Sequence, residues 1–464
     1  MTLCLRYLSL SAALFMAPIA FAANSAMPEF ERVLLANGTE LLLMEKHDVP
    51  LIAVNVRIRG GSLADPEGLE GSASLLSEML QKGAGARDAK TFAEAVDAAG
   101  GSVEIGTSLS AIELNAEFLA RDADLMLEVV SDALLRPRLD KIEFDKVKTQ
   151  AIQAQAAAKD GDPRSLINTY GYAYLFQNHL YGRPSDGDET SLNKISLDSL
   201  NAFYQAQLGA DRMIVAVVGD FNAKTMKTKL QKTFGGWRKA TGSLPVVIAM
   251  QKQTGRRVLL VDKPGATQTY FWLANVGVNR ADPERPAQIV VNTVFGGRFT
   301  SMLNTELRIK SGLSYGASSG LDRLEQPGAM RISSYTRTDA TAQAIDLAIT
   351  TLDRLHKDGI SAEMEASAKN YVLGQFPPTL ETSPQMAAKL SELSLYGLNR
   401  KEVDNYAENI RGTTPAQLTN AITVYPNSAD LVIVLIGDAA KIRESVKKYG
   451  TVTEMKISDP KFSP

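Results

Sequence analysis

The sequence has very little cysteine and histidine. Its only cysteine is Cys4, and its three histidines are His47, His179 and His356. A mature chain without its first 22 residues would contain no cysteine, which excludes disulfides, thiolate metal sites and a cysteine nucleophile. No histidine is spaced with another histidine, or with a carboxylate pair, at the helical interval of metal ligands. We therefore expect this chain to bind no metal and to hold no cofactor of its own.

An excess of charge and long apolar runs are also missing. Lysine and arginine total 50 against 52 aspartates and glutamates, a formal net charge of −2. No basic stripe is present, which argues against nucleic acid as a partner. After the first 22 residues no apolar run is long enough to span a bilayer. The phosphate-binding loop of nucleotide enzymes and the Gly-x-Ser-x-Gly turn of serine hydrolases are missing too.

The first 22 residues have the pattern of a secretory signal peptide. Arg6 supplies a positive charge, an apolar run covers residues 8–21, and Ala20-Phe21-Ala22 forms a small-x-small cleavage site. The alternative is an uncleaved membrane anchor, which the short run and Pro18 disfavour. We expect an exported protein, most simply in a bacterial periplasm, with no transmembrane segment after cleavage.

The rest of the chain carries one order of signals twice. A hairpin pattern surrounds Pro50 and again Pro264, and a β-branched strand followed by a helix surrounds Asp220 and again Asp438. The prolines are 214 residues apart (264 − 50) and the aspartates 218 apart (438 − 220). Two landmarks with nearly one offset indicate an internal duplication.

The duplication predicts an α+β fold made of two homologous units. We expect each unit to be an antiparallel sheet packed with helices. The predicted halves are residues 27–245 and 246–464, with the joining linker in residues 239–255, which contain Gly242, Pro245 and Gly255.

One predicted helix carries an unusual polar face. The segment Gly71–Gly83 places Ser74, Ser77 and Glu78 at i, i+3 and i+4, which is one face of a helix. Two histidines and a glutamate at such an interval bind zinc and supply a general base. Two hydroxyls and one carboxylate make a poor zinc site.

Five segments, taken in order, resemble the pitrilysin/insulinase family of zinc metallopeptidases, whose helix carries an inverted His-x-x-Glu-His motif. The resemblance covers nearly the whole mature chain, and the last segment is the most specific match. This resemblance implies that the two halves are peptidase-like α/β units in a clamshell architecture. The segments are Arg59–Ser62, Gly71–Gly83, Asn178–Pro184, Phe295–Ser301 and Leu303–Tyr315.

The resemblance also shows what this chain has lost. The first histidine of the family falls on Ser74, the catalytic glutamate on Ser77 and the second histidine on Glu78. The third ligand of the family is a glutamate in a later long helix, but this sequence has no glutamate between Glu143 and Glu189. The resemblance therefore implies a relative that cannot hydrolyse peptides alone.

In two-subunit members of the family, the zinc-free subunit can supply an arginine and a tyrosine to the active site of its partner. The matching residues here are Arg308 and Tyr315, which the resemblance implies would assist catalysis. Two structural alternatives stay open: Arg308 could be solvated or paired, for example with Glu306 or Asp322, and the Tyr315 ring could be half-buried packing.

The resemblance also gives two readings to the glycines that precede this pair. Gly296 and Gly297 either let a peptide substrate pass close to the backbone or only end a helix.

Three hypotheses follow. The first is a non-catalytic subunit of an exported zinc endopeptidase, in a heterodimer whose partner binds the zinc. The second is a peptide-binding or assembly scaffold with no proteolytic role, which need not keep Arg308 and Tyr315. The third is an active peptidase with unusual ligands, which the few available ligands disfavour.

Overall fold

A computed structural model of the protein describes residues 27–464, so the predicted signal peptide with Arg6 and Cys4 lies outside the described residues. The strands in this range are β1 Glu31–Leu34, β2 Glu40–Glu45, β3 Leu51–Arg59, β4 Gly83–Ala84, β5 Arg87–Asp88, β6 Ser102–Thr107, β7 Ala111–Leu119, β8 Met213–Gly219, β9 Arg257–Asp262, β10 Gln268–Val276, β11 Ala317–Arg323, β12 Pro327–Arg337, β13 Val432–Gly437 and β14 Thr451–Lys456.

The α-helices alternate with these strands and fill the long connections. They are α1 Ser72–Met79, α2 Ala89–Ala98, α3 Ala123–Leu135, α4 Lys141–Asp160, α5 Ile167–Phe176, α6 Glu189–Lys194, α7 Leu197–Gln207, α8 Ala223–Phe234, α9 Arg285–Phe295, α10 Met302–Asn304, α11 Thr341–Asp358, α12 Ala362–Gln375, α13 Ser383–Leu395, α14 Lys401–Asp404, α15 Tyr406–Arg411, α16 Pro415–Ile422 and α17 Ala439–Val446. A π-helical turn, Thr305–Lys310, continues α10.

Two six-stranded sheets organise the chain. The first has the order β1-β2-β8-β3-β7-β6 and the second, read from its opposite edge, β14-β9-β13-β10-β12-β11. Five strands of each sheet therefore match one to one, β2-β8-β3-β7-β6 with β9-β13-β10-β12-β11, which confirms the duplicated α+β fold. Only the edge strands β1 and β14 differ, because β1 pairs with β2 antiparallel whereas β14 pairs with β9 parallel.

The sheets are mixed and not purely antiparallel as expected. Strands β2 and β8 run parallel, as do β9 and β13. The reason is the long helical segment between the members of each pair, which returns the chain in the same direction as a crossover connection does. Strand β14 also runs parallel to β9, and the other pairs within the two sheets are antiparallel, with Asn55 of β3 opposite Asn115 of β7.

The two halves exchange one helix each. Helix α5 packs on β10 and β13 of the second sheet, and α13 packs on β3 and β8 of the first. The approach of α5 is so close that a Cβ added to Gly171 would lie 2.7 Å from the Trp272 ring. Tyr170 and Trp272 share one hydrophobic cluster, and Leu390 shares another with Ala53. Both sheets are thus covered on one face by their own helices and on the other by a helix of the opposite half.

Within residues 27–464 no helix has both the length and the apolar character needed to cross a membrane.

Candidate functional site

Helix α1 carries the predicted motif, and a buried carboxylate fixes its start. Asp65 accepts hydrogen bonds from the backbone N–H groups of Gly71 and Ala73, both at 2.8 Å. Burial raises the pKa of Asp65 to about 7, against the opposing effect of these two N–H donors. The side chain thereby satisfies two donors at the beginning of the helix, where the backbone has no intrahelical partners.

The three motif positions separate in space. Ser77 is buried, donates to the backbone carbonyl of Ala73 at 2.9 Å, and lies 2.6 Å from the Thr107 hydroxyl of β6. Ser74 and Glu78 instead line a cavity, where the Ser74 hydroxyl donates to the Asp186 carboxylate at 2.9 Å. The structure therefore brings Ser74 and Glu78 to the cavity and directs Ser77 towards the neighbouring strand.

The cavity has a volume of about 930 Å³ and lies between elements of both halves. Helices α1, α4 and α5 and the segment 181–187 form most of its wall, and β11 and the C-terminal Phe462 close it. Its polar lining includes Ser74, Glu78, Gln150, Gln155, Asn168, Tyr172, Arg183, Asp186 and Asp322.

The residues around this cavity do not fit a zinc ion. Helix α4, which would supply the third ligand, lines the cavity with Gln150, Ala151, Ala154 and Gln155 among others. Zinc needs about three nitrogen, sulfur or carboxylate ligands. Across residues 27–464, no three His, Cys, Asp or Glu side chains are grouped so that they could hold a metal. Glu78 alone cannot replace the missing set.

The three histidines have unrelated contacts. His47 hydrogen-bonds Asp220 at 2.7 Å, and this bond raises the pKa of His47. His179 accepts from the Tyr181 backbone N–H at 3.0 Å and its other ring nitrogen lies 2.7 Å from a backbone carbonyl of the linker. His356 contacts the carbonyl of Pro426 at 3.2 Å.

Arg308 and Tyr315 are brought together on the surface of the C-terminal half. The guanidinium carbon of Arg308 lies 4.3 Å from the centroid of the Tyr315 ring and 4.7 Å from that of Phe299. Tyr315 is 72% exposed and Phe299 is 58% exposed. Both distances fall within the range of cation–π contacts.

The suggested ion pairs of Arg308 are wrong, because both carboxylates have other partners. Glu306 binds Lys310 at 3.0 Å and Arg354 at 2.9 Å. Asp322 accepts from Arg331 at 2.6 Å and from the Tyr172 hydroxyl at 2.7 Å. In the described part of the chain the Arg308 guanidinium has no carboxylate partner.

The alternative for Tyr315 is wrong as well, because its ring is exposed and not half-buried. Among residues 27–464 the Arg308 guanidinium contacts the Phe299 and Tyr315 rings and pairs with no carboxylate, which leaves the alternative of a solvated arginine open.

Gly296 and Gly297 follow the last residue of α9. Their backbone N–H groups both bond to the carbonyl of Asn292, at 2.9 and 2.7 Å. A Cβ added to Gly296 would lie 2.4 Å from the backbone nitrogen of Ser319 in β11. Close helix–strand packing thus accounts for a glycine at 296. A role for this pair in substrate binding stays a prediction.

Sequence reasoning missed two features of these sites. The first is the Asp322 carboxylate, which joins Tyr172 of the N-terminal half to Arg331 of the C-terminal half on the cavity wall. The second is Phe299, whose ring lies against Arg308. The first joins residues 150 apart, which no local pattern reveals. Phe299 has only a weak sequence signal, because it is a phenylalanine two residues after Gly297 in a largely polar segment.

Comparisons with known proteins agree with the motifs and the fold. Residues 41–188 match the insulinase family of peptidases, M16, and residues 194–371 match the peptidase M16 inactive domain. A protein of Mycobacterium tuberculosis named an uncharacterized zinc protease is 28% identical over 377 residues, covering 80% of this chain and 84% of that one. Non-peptidase homolog YmxG of Helicobacter pylori is 23% identical over 409 residues, covering 86% and 91%.

Two solved structures share the fold. A peptidase M16 inactive domain from Pseudomonas fluorescens has a TM-score of 0.82 at 22% identity, covering 88% of this chain and 98% of that one. A protease from Helicobacter pylori has a TM-score of 0.80 at 20% identity, covering 88% and 99%. The predicted family is thereby confirmed, and the chain belongs to the insulinase family of peptidases, M16.

Proposed function

We propose that this chain is the zinc-free subunit of an exported, two-subunit zinc endopeptidase, and that it supplies Arg308 and Tyr315 to the active site of a zinc-bearing partner. The observation that carries the proposal is the Arg308 guanidinium, which is held between two exposed rings and has no carboxylate partner in residues 27–464. The motif face of the same chain lacks the ligands of a zinc site.

The chemistry of peptide hydrolysis gives such a pair a use. When water attacks a peptide carbonyl, the carbonyl oxygen gains negative charge, and hydrogen-bond donors aimed at it lower the barrier. Arginine stays charged and offers a rigid fork of donors. The Tyr315 hydroxyl, on a ring that is 72% exposed, can donate to the same oxygen or to a neighbouring carbonyl of the substrate.

Further support comes from the family and from the start of the sequence. The match to the M16 inactive domain covers Arg308 and Tyr315. A relative is named a non-peptidase homolog, which agrees with a subunit that has no activity alone. The signal-peptide pattern of the first 22 residues supports export.

The proposal is tested by purifying the chain from the periplasm of its native cells under mild conditions. We expect a second chain with an intact His-x-x-Glu-His helix to copurify, and peptide hydrolysis to require both chains. Chelator-sensitive hydrolysis by this chain alone would contradict the proposal. Stable association with a protein that lacks a metallopeptidase motif would favour the scaffold hypothesis.

A further inference from the structure

We infer that Phe299 is a positioning residue that holds the Arg308 guanidinium at the surface without neutralising its charge. The inference rests on the proposed function, because it assigns Phe299 a role through Arg308. Phe299 lies in the resembling segment Phe295–Ser301, but the resemblance assigns it no role.

The ring of Phe299 has no other evident role. It is 58% exposed and belongs to none of the buried clusters of the described chain. Its centroid lies 4.7 Å from the guanidinium carbon of Arg308. An exposed phenylalanine leaves apolar surface in water, which is unfavourable. The contact with the Arg308 guanidinium is the favourable interaction that this ring makes.

One buried side chain fixes the backbone on both sides of Arg308. The amide nitrogen of Asn304 donates to the carbonyl of Phe299 at 2.6 Å, and its amide oxygen accepts from the N–H of Ala317 at 3.3 Å. Asn304 thus connects the segment that carries Phe299 to the strand that follows Tyr315. The same residue joins the backbone segments next to the two rings, with Arg308 between them in sequence.

The π-helical turn places Arg308 between these segments. Its wider hydrogen-bonding pattern appears in the bond from the Ser311 N–H to the carbonyl of Glu306, five residues back, at 3.1 Å. Single π turns in helices are frequent at functional sites.

The two rings suit a cation that must stay free to bind a carbonyl oxygen or an oxyanion. A carboxylate partner would hold Arg308 in place, but it would also occupy the guanidinium donors and offset the positive charge. Aromatic faces attract the cation through the ring quadrupole and leave the N–H edges of the planar group available. Phe299 and Tyr315 therefore restrict the guanidinium and leave it able to bind a carbonyl or an oxyanion.

The first test is made on the free chain. The Arg308 Nε–Hε resonance, assigned by its loss in Arg308→Ala, is compared in wild type, Phe299→Ala and Phe299→Tyr. We expect a ring-current shift that Phe299→Ala reduces and Phe299→Tyr keeps. An unchanged resonance in Phe299→Ala would overturn the inference.

The second test is a double-mutant cycle in the complex with the zinc-bearing chain that copurifies. We expect Phe299→Ala to lower turnover about two- to fivefold, the population change that an exposed cation–π contact supports. In an Arg308→Ala background the same change should have no further effect on turnover. With Arg308 present, the conservative change Phe299→Tyr should keep turnover near wild type. The matched control is Ile309→Ala, because Ile309 is 55% exposed in the same segment and should leave turnover unchanged.

The outcomes separate the two claims. A loss from Phe299→Ala that persists in the Arg308→Ala background would overturn the positioning role. Normal turnover in Arg308→Ala would overturn the proposed function and, with it, any catalytic consequence of Phe299. The resonance of the free chain still decides, in that case, whether Phe299 holds Arg308.

Discussion

At the scale of residues, Arg308 differs from the arginines that are paired with carboxylates. Arg331 donates to Asp322 at 2.6 Å, and Arg57 binds Glu113 at 2.7 Å, so the charge of each is offset inside the fold. Arg308 contacts only aromatic rings among the residues described. The motif resemblance predicted a role for Arg308 and Tyr315. It could not predict the contact of Phe299 with Arg308, because this contact depends on the geometry of the π-helical turn, which residue spacing does not encode.

Removing either predicted donor should lower turnover of the complex strongly. One transition-state donor contributes about 2.7–4 kcal/mol, a hundred- to a thousandfold in rate. We expect this loss for Arg308→Ala and for Tyr315→Phe, with subunit affinity and thermal stability near wild type. The control is Arg337→Ala, because Arg337 is an exposed arginine paired with Asp339. Loss of complex formation in parallel with activity would place the pair in the subunit interface instead.

The His47–Asp220 contact predicts a shifted titration. The hydrogen bond that the His47 ring donates to the Asp220 carboxylate is the largest cause that raises the pKa of His47 above 6.5. A histidine pKa that is higher in the folded chain adds stability at pH values below 6.5, and this is lost as pH rises through the folded pKa. NMR titration should give a lower His47 pKa in Asp220→Asn. An identical titration curve in that variant would refute the contact.

At the scale of elements, α1 keeps the frame of a zinc helix with a different surface. The sequence predicted the helix and its substitutions. It could not predict that Ser77 bonds to Thr107 of β6 while Ser74 and Glu78 line the cavity, because a helical face does not tell which neighbour each side chain meets. The sequence also could not predict that β11 of the C-terminal half forms part of the cavity wall, because local patterns do not show contacts between distant segments.

Restoring the motif should not restore zinc binding of enzymatic strength. The triple change Ser74→His, Ser77→Glu and Glu78→His supplies two ligands, but α4 still presents Gln150 and Ala151 where the third ligand is needed. Zinc titration of the purified triple variant should show weak binding that a chelator reverses at once. Stoichiometric, chelator-resistant zinc with peptide hydrolysis would mean that the third ligand is present elsewhere.

The cap of α1 predicts a pH-dependent stability. Asp65→Ala removes two hydrogen bonds to a buried carboxyl group. Each contributes about 0.5–1.5 kcal/mol, so at pH 5, where the raised pKa keeps the folded group protonated, we expect a loss of roughly 1–3 kcal/mol. The pKa of Asp65 is raised to about 7, so its contribution is largest below pH 4 and decreases as pH rises through 7.

Urea unfolding of Asp65→Ala and wild type at pH 5 and pH 8 checks this. The difference between them should be larger at pH 5. The control is Asp162→Ala, which removes an exposed cap and should cost less. A larger difference at pH 8 would reverse the sign and contradict the account of Asp65.

At the scale of the whole molecule, the two halves are interleaved. The repeated landmarks predicted the duplication, but nothing in an apolar helix states which sheet it covers. The exchange of α5 and α13 was therefore not predictable from periodicity. The first residues of these two helices are 216 residues apart (383 − 167), which lies between the two offsets of the internal repeat. Each half completes the core of the other.

This exchange predicts one cooperative unfolding transition. Gly171→Ala should lower its midpoint without splitting it, because the added methyl group meets the Trp272 ring at 2.7 Å and overpacking costs about 1–3 kcal/mol. Calorimetry and near-ultraviolet circular dichroism should give coincident curves. The matched change Gly374→Ala adds a methyl where no atom lies within 4 Å and should not lower the midpoint. Two resolved transitions in wild type would show that the halves are independent.

The central claim is that this chain completes an active site it cannot form alone. The most direct measurement is peptide turnover by the copurifying zinc-bearing chain, titrated with the wild-type chain or with the Arg308→Ala/Tyr315→Phe double variant, while complex formation is followed in the same samples. We predict that turnover rises with the wild-type chain and saturates with the complex, and that the double variant forms the complex with turnover at least about a hundredfold lower. Equal turnover with both chains at equal complex formation would contradict the account.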